Sequence, residues 1–183
     1  MSNAALVEHL LAHSVRTGEF TLKSGRRSNW FIDAKQTTCS ADGMLLVADA
    51  ALAVLPSDVT AVGGLTMGAD AATFSIAAVA ATRGRLLRSF SVRKETKGHG
   101  GGGRIAGALE PGDRVAITED TVTRGVSMLE AAQVVRHAGA VPVLLLPVVD
   151  RGGTVTALAA EQGLPVHALV TAPDLGFAFE SGA

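Results

Sequence analysis

The chain reads Val115-Ala116-Ile117-Thr118-Glu119-Asp120-Thr121-Val122-Thr123-Arg124-Gly125-Val126-Ser127 where an apolar run of strand type meets two adjacent carboxylates and a turn of small residues. The residues that follow, 128–137, have the composition of a helix. Backbone N–H groups at a helix N-terminus are unpaired and carry the positive end of the helix dipole, and nearby hydroxyls with a flexible glycine can close around an anion. The segment therefore predicts a strand, a phosphate-binding loop and a helix start.

Glu119 and Asp120 directly precede this loop, and carboxylates cannot themselves bind phosphate. They are suited to sugar hydroxyls, which donate hydrogen bonds, or to a Mg²⁺ ion shared with the ligand. A sugar phosphate would satisfy both halves of the segment. The alternative is a polar strand end followed by an ordinary helix cap, and the loop alone does not decide between the two.

Composition narrows the class of protein. A chain of 183 residues is long enough for one well-cored domain and short for two. Sixteen Lys and Arg against seventeen Asp and Glu give a net charge of −1, which predicts no bulk attraction to nucleic acid or to an anionic membrane. The one cysteine, Cys39, is interpreted as a small apolar filler and fits a reducing compartment. Because no apolar run approaches the ~20 residues of a membrane span, we expect a soluble, cytoplasmic protein.

Strand-like and helix-like segments alternate along the chain. Helices are predicted over 4–15, 40–55, 69–82, 129–137 and 155–162, and strands over 59–62, 86–92, 105–111, 141–149 and 166–170, besides the strand of the opening stretch. Nearly all-apolar strands separated by helices predict an α/β fold with a central parallel sheet covered on both faces. Ligands of such sheets bind at the carboxyl ends of the strands.

One strand end is rich in glycine and reads Gly63-Gly64-Leu65-Thr66-Met67-Gly68-Ala69-Asp70. Glycines let backbone N–H groups approach a ligand, which favours a second anion loop, but tight packing explains them nearly as well. The Gly-Lys-Ser/Thr ending of a P-loop and the Gly-x-Gly-x-x-Gly spacing of dinucleotide binders are both absent from this sequence.

Residues 20–33 form two strand-like pieces about a Ser-Gly turn and predict a hairpin. Cations stand beside Trp30 and Phe31 in this segment. A solvated hairpin with its aromatics in the core is one interpretation, and in isolation the favoured one. The other is a flat apolar surface for a planar base, with Lys23 reaching a phosphate.

Residues 93–104 read Arg93-Lys94-Glu95-Thr96-Lys97-Gly98-His99-Gly100-Gly101-Gly102-Gly103-Arg104. Four consecutive glycines bury no side chain and leave the backbone free, so we expect a mobile loop. A plain surface linker would have this freedom too. A linker needs no cations, however, whereas a lid that closes on a polyanion needs both properties.

The Arg-Lys-Glu-x-Lys-x-His-Gly motif of residues 93–100, followed by the acidic Thr/Gly/Ser loop, resembles the orotate phosphoribosyltransferases, a family of the type I phosphoribosyltransferases. The hairpin of residues 20–26, the loop at 63–70 and Asp150-Arg151 match the family's other signatures in order. The resemblance implies one domain over 1–183: a central parallel sheet flanked by helices, a hood from residues 1–39, and a mobile lid over 93–104.

The resemblance also implies a reaction and a set of site residues. The reaction joins orotate to 5-phosphoribosyl 1-diphosphate with Mg²⁺, which is held mainly through the diphosphate and water rather than by protein ligands. A homodimer is implied, in which the lid completes the neighbouring subunit's site, with no nucleic-acid or membrane partner. The diphosphate would contact Lys23, Thr66, Met67, Arg93, Lys94, Lys97 and His99; the ribose would contact Glu119 and Asp120; the 5′-phosphate would contact Thr121, Val122, Thr123, Arg124, Gly125, Val126 and Ser127; and orotate would contact Phe31, Ile32, Thr123 and Arg151.

Lys97, His99, Asp120 and Glu119 are the expected catalytic residues. Breaking the bond between C1 and oxygen builds positive charge on the ribose and negative charge on the diphosphate, so catalysis is expected to be chiefly electrostatic. Met67 stands where many members have a lysine, Arg124 where a small residue is usual, and the expected stacking pair Phe31-Ile32 is half aliphatic.

Two other functions keep part of this pattern. A sister enzyme for a purine or uracil would retain the acidic loop but would not need Arg151 or the Lys-x-His lid. A non-catalytic phosphoribosyl-diphosphate sensor would be expected to lose the lid cations and to show a basic surface for nucleic acid. The chain retains the cations and lacks the basic charge.

Overall fold

The computed structural model describes residues 3–21, 25, 27–96 and 103–180. The helices are α1 Ala4–His13, α2 Lys35–Thr38, α3 Ala41–Val54, α4 Asp70–Thr82, α5 Val126–His137 and α6 Val155–Ala160. The strands are β1 Val15–Thr21, β2 Arg27–Ile32, β3 Ala61–Leu65, β4 Arg88–Val92, β5 Ile105–Gly107, β6 Arg114–Val122, β7 Val141–Asp150 and β8 Val170–Thr171. A 3₁₀-helix covers Pro173–Leu175.

Six strands form the main sheet in the order β5-β4-β3-β6-β7-β8. All neighbours in it pair in parallel except β4 and β5, which are antiparallel. The predicted α/β architecture with a mostly parallel sheet is therefore confirmed, and β5 is the exception. The two middle strands, β3 and β6, and the neighbouring β7 are buried almost throughout, as expected for strands covered on both faces.

Helices cover the two faces of the sheet with separate apolar cores. On one face Val47 of α3 and Ile76 of α4 pack against Leu146 of β7, with α1 and the hairpin extending this core. On the other face Met128 of α5 packs with Ile117 of β6. Both cores use small and branched apolar side chains, which lets the helices approach the sheet closely.

The hood hairpin is formed by β1 and β2, which pair antiparallel from Val15 opposite Ile32 to Thr21 opposite Arg27. The predicted hairpin is therefore confirmed. Side chains alternate along β2, so that Trp30 and Ile32 are buried while Phe31 is 39 % exposed.

Several predicted boundaries shift in the structure. Gly63 and Gly64 lie inside β3 rather than in a loop. Neither position has room for a side chain: an added Cβ would lie 2.5 Å from the Phe90 ring at Gly63 and 2.1 Å from the Thr118 carbonyl oxygen at Gly64. For these two glycines the packing interpretation is correct. Ser40 caps α3, accepting from the Gly43 amide at 3.2 Å.

Cys39 was expected to be an apolar filler, and this is wrong. It lies exposed on the surface where α2 ends. Among the described helices none has the length and apolar character needed to cross a membrane.

Candidate active site

The loops singled out in the sequence meet at one edge of the sheet. Parallel register places Leu65 of β3 beside Val92 of β4, and Val122 of β6 beside Asp150 of β7. The carboxyl ends of these strands therefore share an edge, where α/β sheets bind their ligands.

The acidic pair at the end of β6 is buried, with Glu119 7 % and Asp120 6 % exposed. Asp120 Oδ2 forms an ion pair with Lys35 Nζ, and Asp120 Oδ1 accepts from the Thr121 amide at 2.7 Å. Partial burial opposes the charge of Lys35, but the hydrogen bond and charge of Asp120 outweigh it and raise the Lys35 pKa. Each carboxylate oxygen of Asp120 therefore has a hydrogen-bond partner.

Glu119 differs from its neighbour. Burial, reinforced by the adjacent Asp120 charge, raises the pKa of Glu119 to about 7, with the Ser127 hydroxyl acting in the opposite direction. Near neutral pH the Glu119 carboxyl is therefore divided between its acid and carboxylate forms.

The loop after β3 packs directly on these carboxylates. An added Cβ at Gly68 would lie 2.0 Å from Glu119 Oε1 and 2.9 Å from Asp120 Oδ1. Only glycine fits this close approach. Next to it the Thr66 hydroxyl donates to Asp70 at 2.7 Å, the Thr66–Met67 peptide bond is cis, and the Met67 side chain is 73 % exposed.

The phosphate-binding loop predicted at the start of α5 is open to solvent. Gly125 precedes the helix with φ +86°, a left-handed conformation that favours glycine, and Thr123 and Arg124 are exposed. First-turn N–H groups of a helix have no acceptor within the helix, so the N-terminus of α5 provides donors and the positive dipole end.

Two residues predicted for the 5′-phosphate have other contacts. Thr121 and Val122 lie within β6, and the Thr121 amide donates to Asp120 rather than to the loop. Val122 is buried, and its carbonyl oxygen accepts from the Arg151 amide at 2.8 Å. The open part of the cradle is therefore residues 123–127.

Arg151 follows β7 in a tight turn built by Asp150, whose Oδ1 accepts from the Gly152 and Gly153 amides at 3.0 and 2.9 Å. The Arg151 guanidinium is buried and lies 4.7 Å from the centre of the Trp30 ring. The guanidinium was expected to be available to a ligand carboxylate. Instead its Nη2 donates to the Trp30 carbonyl oxygen at 3.1 Å and to Glu180 Oε1 at 2.9 Å.

The two residues of the expected stacking pair on the hood face in opposite directions. The Phe31 side chain faces outward, but the Ile32 side chain is buried in the core, because adjacent strand residues point to opposite faces. The contact of Ile32 with a base stays a prediction.

The base of the predicted lid is a closed hydrogen-bonded neck. The Arg93 amide donates to the Arg104 carbonyl oxygen at 2.7 Å, and Arg104 Nε donates to the Arg93 carbonyl oxygen at 2.7 Å. The Arg93 guanidinium donates to the carbonyl oxygens of Gly103 and Ile105, while Lys94 is exposed. Three predicted ligands of the diphosphate lie outside the described residues: Lys23, Lys97 and His99.

Sequence reasoning missed two charged groups of this edge. Lys35 lies two residues after the predicted hairpin, residues 20–33. Its charge was visible in the sequence, but only cations within the hairpin were considered as ligands. Glu180 is a single acidic residue near the end of the chain, and nothing in the surrounding sequence indicates that it reaches Arg151.

The arrangement of sheet, hood hairpin and loops is the fold of the type I phosphoribosyltransferases. The structure matches the crystal structure of Mycobacterium tuberculosis orotate phosphoribosyltransferase in complex with Fe(III) dicitrate, with a TM-score of 0.86 and 32 % sequence identity. The match covers 97 % of this chain and 100 % of that one. The same enzyme in complex with 5-phospho-alpha-D-ribosyl 1-diphosphate matches with a TM-score of 0.81 and 29 % identity, over 97 % of this chain and 100 % of that one.

Sequence comparison narrows the class. The orotate phosphoribosyltransferase of Rhodopirellula baltica is 35 % identical over 180 residues, which cover 94 % of this chain and 93 % of the relative. No protein-family model matches the chain. With relatives of this identity and coverage, the chain belongs to the orotate phosphoribosyltransferase family.

Proposed function

We propose that the chain transfers the 5-phosphoribosyl group from 5-phosphoribosyl 1-diphosphate to orotate, giving orotidine 5′-phosphate and diphosphate in de novo pyrimidine biosynthesis. The observation that carries the proposal is the buried Glu119–Asp120 pair directly before the open N-terminus of α5, in a chain of this family. A buried acid pair of this kind is suited to a hydroxyl-rich ligand whose phosphate lies at the helix end.

At the sugar end, residues 123–127 hold the 5′-phosphate through first-turn amides and the hydroxyls of Thr123 and Ser127. Asp120, which pairs with Lys35, accepts hydrogen bonds from the ribose hydroxyls. The Glu119 carboxyl accepts hydrogen bonds when it is ionised and can donate one when it is protonated. It can therefore bind the ribose hydroxyls in either protonation state.

At the other end, Thr66 and Met67 line the diphosphate side of the site, and Lys23, Arg93, Lys94, Lys97 and His99 supply positive charge there. The bond between C1 and the diphosphate oxygen breaks with its electron pair going to diphosphate. The N1 nitrogen of orotate then forms the new bond to C1 from the opposite face, and its proton passes to the released diphosphate. No side-chain nucleophile is needed, because the charges that develop are stabilised electrostatically.

Magnesium fits this site as an ion carried by the substrate. Among the described residues no three His, Cys, Asp or Glu side chains are grouped to hold a metal ion. Glu119 and Asp120 are oxygen donors of the type that Mg²⁺ accepts, and diphosphate oxygens and water complete its usual shell. When bound, the ion neutralises charge on the leaving diphosphate.

At the base end, Phe31 offers one aromatic face, and Thr123 and the Arg151 guanidinium recognise the polar edge of orotate. A guanidinium is suited to a carboxylate because it presents parallel N–H donors. Arg151 and Gly152, at the end of β7, contact residues 122–123. The proposed orotate site is therefore adjacent to the proposed 5′-phosphate site.

The test is diphosphate release by the purified chain with 5-phosphoribosyl 1-diphosphate, Mg²⁺ and one base at a time. Release that depends on orotate and not on adenine, hypoxanthine or uracil is the expected result. Release with another base alone would contradict the orotate assignment, and tight binding of the diphosphate substrate without turnover would favour a sensor.

The proposal includes a cytoplasmic homodimer whose lids cross between subunits. Lys97→Ala is expected to lower turnover by roughly 10²-fold, as for other lost contacts to transition-state charge. Mixing it with Asp120→Ala is expected to restore part of the activity, because a mixed dimer contains one site with both residues intact. Mixtures that stay as inactive as the separate variants would contradict lid sharing.

A further inference from the structure

The C-terminal residues 176–180 lie over the end of β7, where the base is proposed to bind. The Phe177 ring stacks on Trp30 at 4.5 Å between ring centres, and the Glu180 amide donates to the Arg151 carbonyl oxygen at 2.9 Å. The Glu180 carboxylate accepts from Arg151 and from the Ser28 hydroxyl of the hood. The chain thus places one of its own carboxylates on the arginine proposed for the carboxylate of orotate.

The hydrogen-bonding pattern of Arg151 shows that this position is taken. A guanidinium offers a carboxylate two forks, one made of Nε and Nη2 and the other of Nη1 and Nη2. Nη2 belongs to both forks, and its two hydrogens are directed to the Trp30 carbonyl oxygen at 3.1 Å and to Glu180 Oε1 at 2.9 Å. Nε is buried and has no hydrogen-bond partner among the residues that the structure describes. A planar ligand carboxylate therefore cannot take a complete fork until one of these acceptors leaves.

The two acceptors differ in how easily they can leave. Trp30 is part of β2, and its side chain is buried between Arg151 and Phe177, so its carbonyl group is held in place. Glu180 lies in no strand or helix, so its side chain can move without breaking one.

We propose that Glu180 occupies the anion position of Arg151 before the base arrives and that the carboxylate of orotate binds by replacing it. The orotate carboxylate then accepts hydrogen bonds from Arg151, through the Nη2 hydrogen that Glu180 has released and through Nε. Glu180 is in this way an internal competitor that sets the affinity for orotate. A base that lacks a carboxylate has nothing with which to replace it. The inference rests on the proposed function, because it assigns the Arg151 position to orotate.

The test compares Glu180→Gln and a chain ending at Phe179 with the unmodified protein. At saturating 5-phosphoribosyl 1-diphosphate, the KM for orotate is expected to fall by roughly fivefold, as when a charge-assisted competitor is weakened. The KM for the diphosphate substrate is expected to stay unchanged. Glu161→Gln, an exposed carboxylate just after α6, is the matched control and is expected to change neither value.

Trp30 gives a second readout, because it is the chain's one tryptophan and touches both Arg151 and the tail. Orotate is expected to change its emission in the unmodified protein, after correction for orotate absorbance, whereas the shortened chain shows an altered emission before orotate is added. If the shortened chain does not fold, Glu180→Gln decides alone, since it preserves the size of the side chain.

An orotate KM that stays constant or rises in the variants overturns the inference and makes Glu180 a support for Arg151. Failure of the proposed function would look different: the unmodified protein itself would then show no orotate-dependent release of diphosphate.

Discussion

Two buried charge clusters stand at neighbouring strand ends, and they are balanced differently. At the end of β6, two carboxylates share one lysine, whose side chain is 43 % exposed. At the end of β7, one arginine meets one carboxylate, and both side chains are nearly buried. The acidic cluster has an excess of negative charge and draws in protons and hydroxyl donors. The arginine cluster is neutral as it stands, so a charged ligand has to open it.

The largest effect is expected from breaking the geometry of the acidic cluster. Gly68→Ala would place a methyl group 2.0 Å from Glu119 Oε1, so the carboxylates have to move apart from the loop after β3. A displacement of this size in a catalytic group lowers kcat/KM by roughly 10²-fold. Stability is expected to change little, because the colliding atom is the end of a side chain.

The control for this variant is Gly163→Ala. Gly163 has φ +67° and no atoms within 4 Å of an added Cβ, so alanine there costs about 1 kcal/mol of backbone strain without touching the site. Kinetics and thermal melting of both variants are compared. Equal activity in the two would show that the contact between Gly68 and the carboxylates is not needed for turnover.

A smaller effect is expected from changing the charge balance of the same cluster. Lys35→Met removes the cation that pairs with Asp120, so the excess negative charge of the buried carboxylate pair is no longer offset and the ribose contact weakens. We expect kcat/KM for the diphosphate substrate to fall by roughly tenfold, as for a lost charge-assisted contact. The KM for orotate is expected to change less.

Lys35→Arg is expected to restore most of this loss, since it retains the charge within reach of Asp120. Arg83→Met serves as the surface control, because the Arg83–Asp49 pair is about half exposed and such pairs contribute little. If Lys35→Met has the same kcat and KM as the unmodified protein, the ion pair between Lys35 and Asp120 is not required for substrate binding or turnover.

The same contrast explains what could be predicted from sequence. The acidic cluster was predicted because its carboxylates, its loop and its helix start are contiguous in residues 119–127, so local pattern rules apply. The order of strands and helices followed for the same reason, since apolar periodicity is a local signal. Lys35 was missed because its partner is 85 positions away along the chain.

The arginine cluster was predicted only in part. Arg151 could be named from the motif at the end of β7, but its state depends on Trp30 and Glu180, which come from opposite ends of the chain. The burial of the Ile32 side chain was not foreseen, because the alternation of β2 places every second side chain in the core and its phase depends on which face the helices cover. Contacts of this range follow from packing and cannot be derived from one segment.

The smallest effect, a change in how stability depends on pH, is expected from neutralising one member of the acidic cluster. The pKa of Glu119 is about 7 in the folded chain against an ordinary value of 4.5. Between these values the folded chain retains a proton that the unfolded chain has released. The free energy of unfolding therefore falls as the pH rises through this window and levels off above it.

Glu119→Gln cannot ionise, so it lacks this contribution to the pH dependence. Its melting temperature relative to the unmodified protein is expected to increase from pH 4.5 to about 7 and then to stay level. Glu8→Gln, an exposed carboxylate on α1, is the control and is expected to show a small difference that does not follow this course. A Glu119→Gln difference that is constant over the whole range would mean that the excess negative charge of the cluster is relieved by something other than a proton on Glu119. The two clusters would then differ less than their charges indicate.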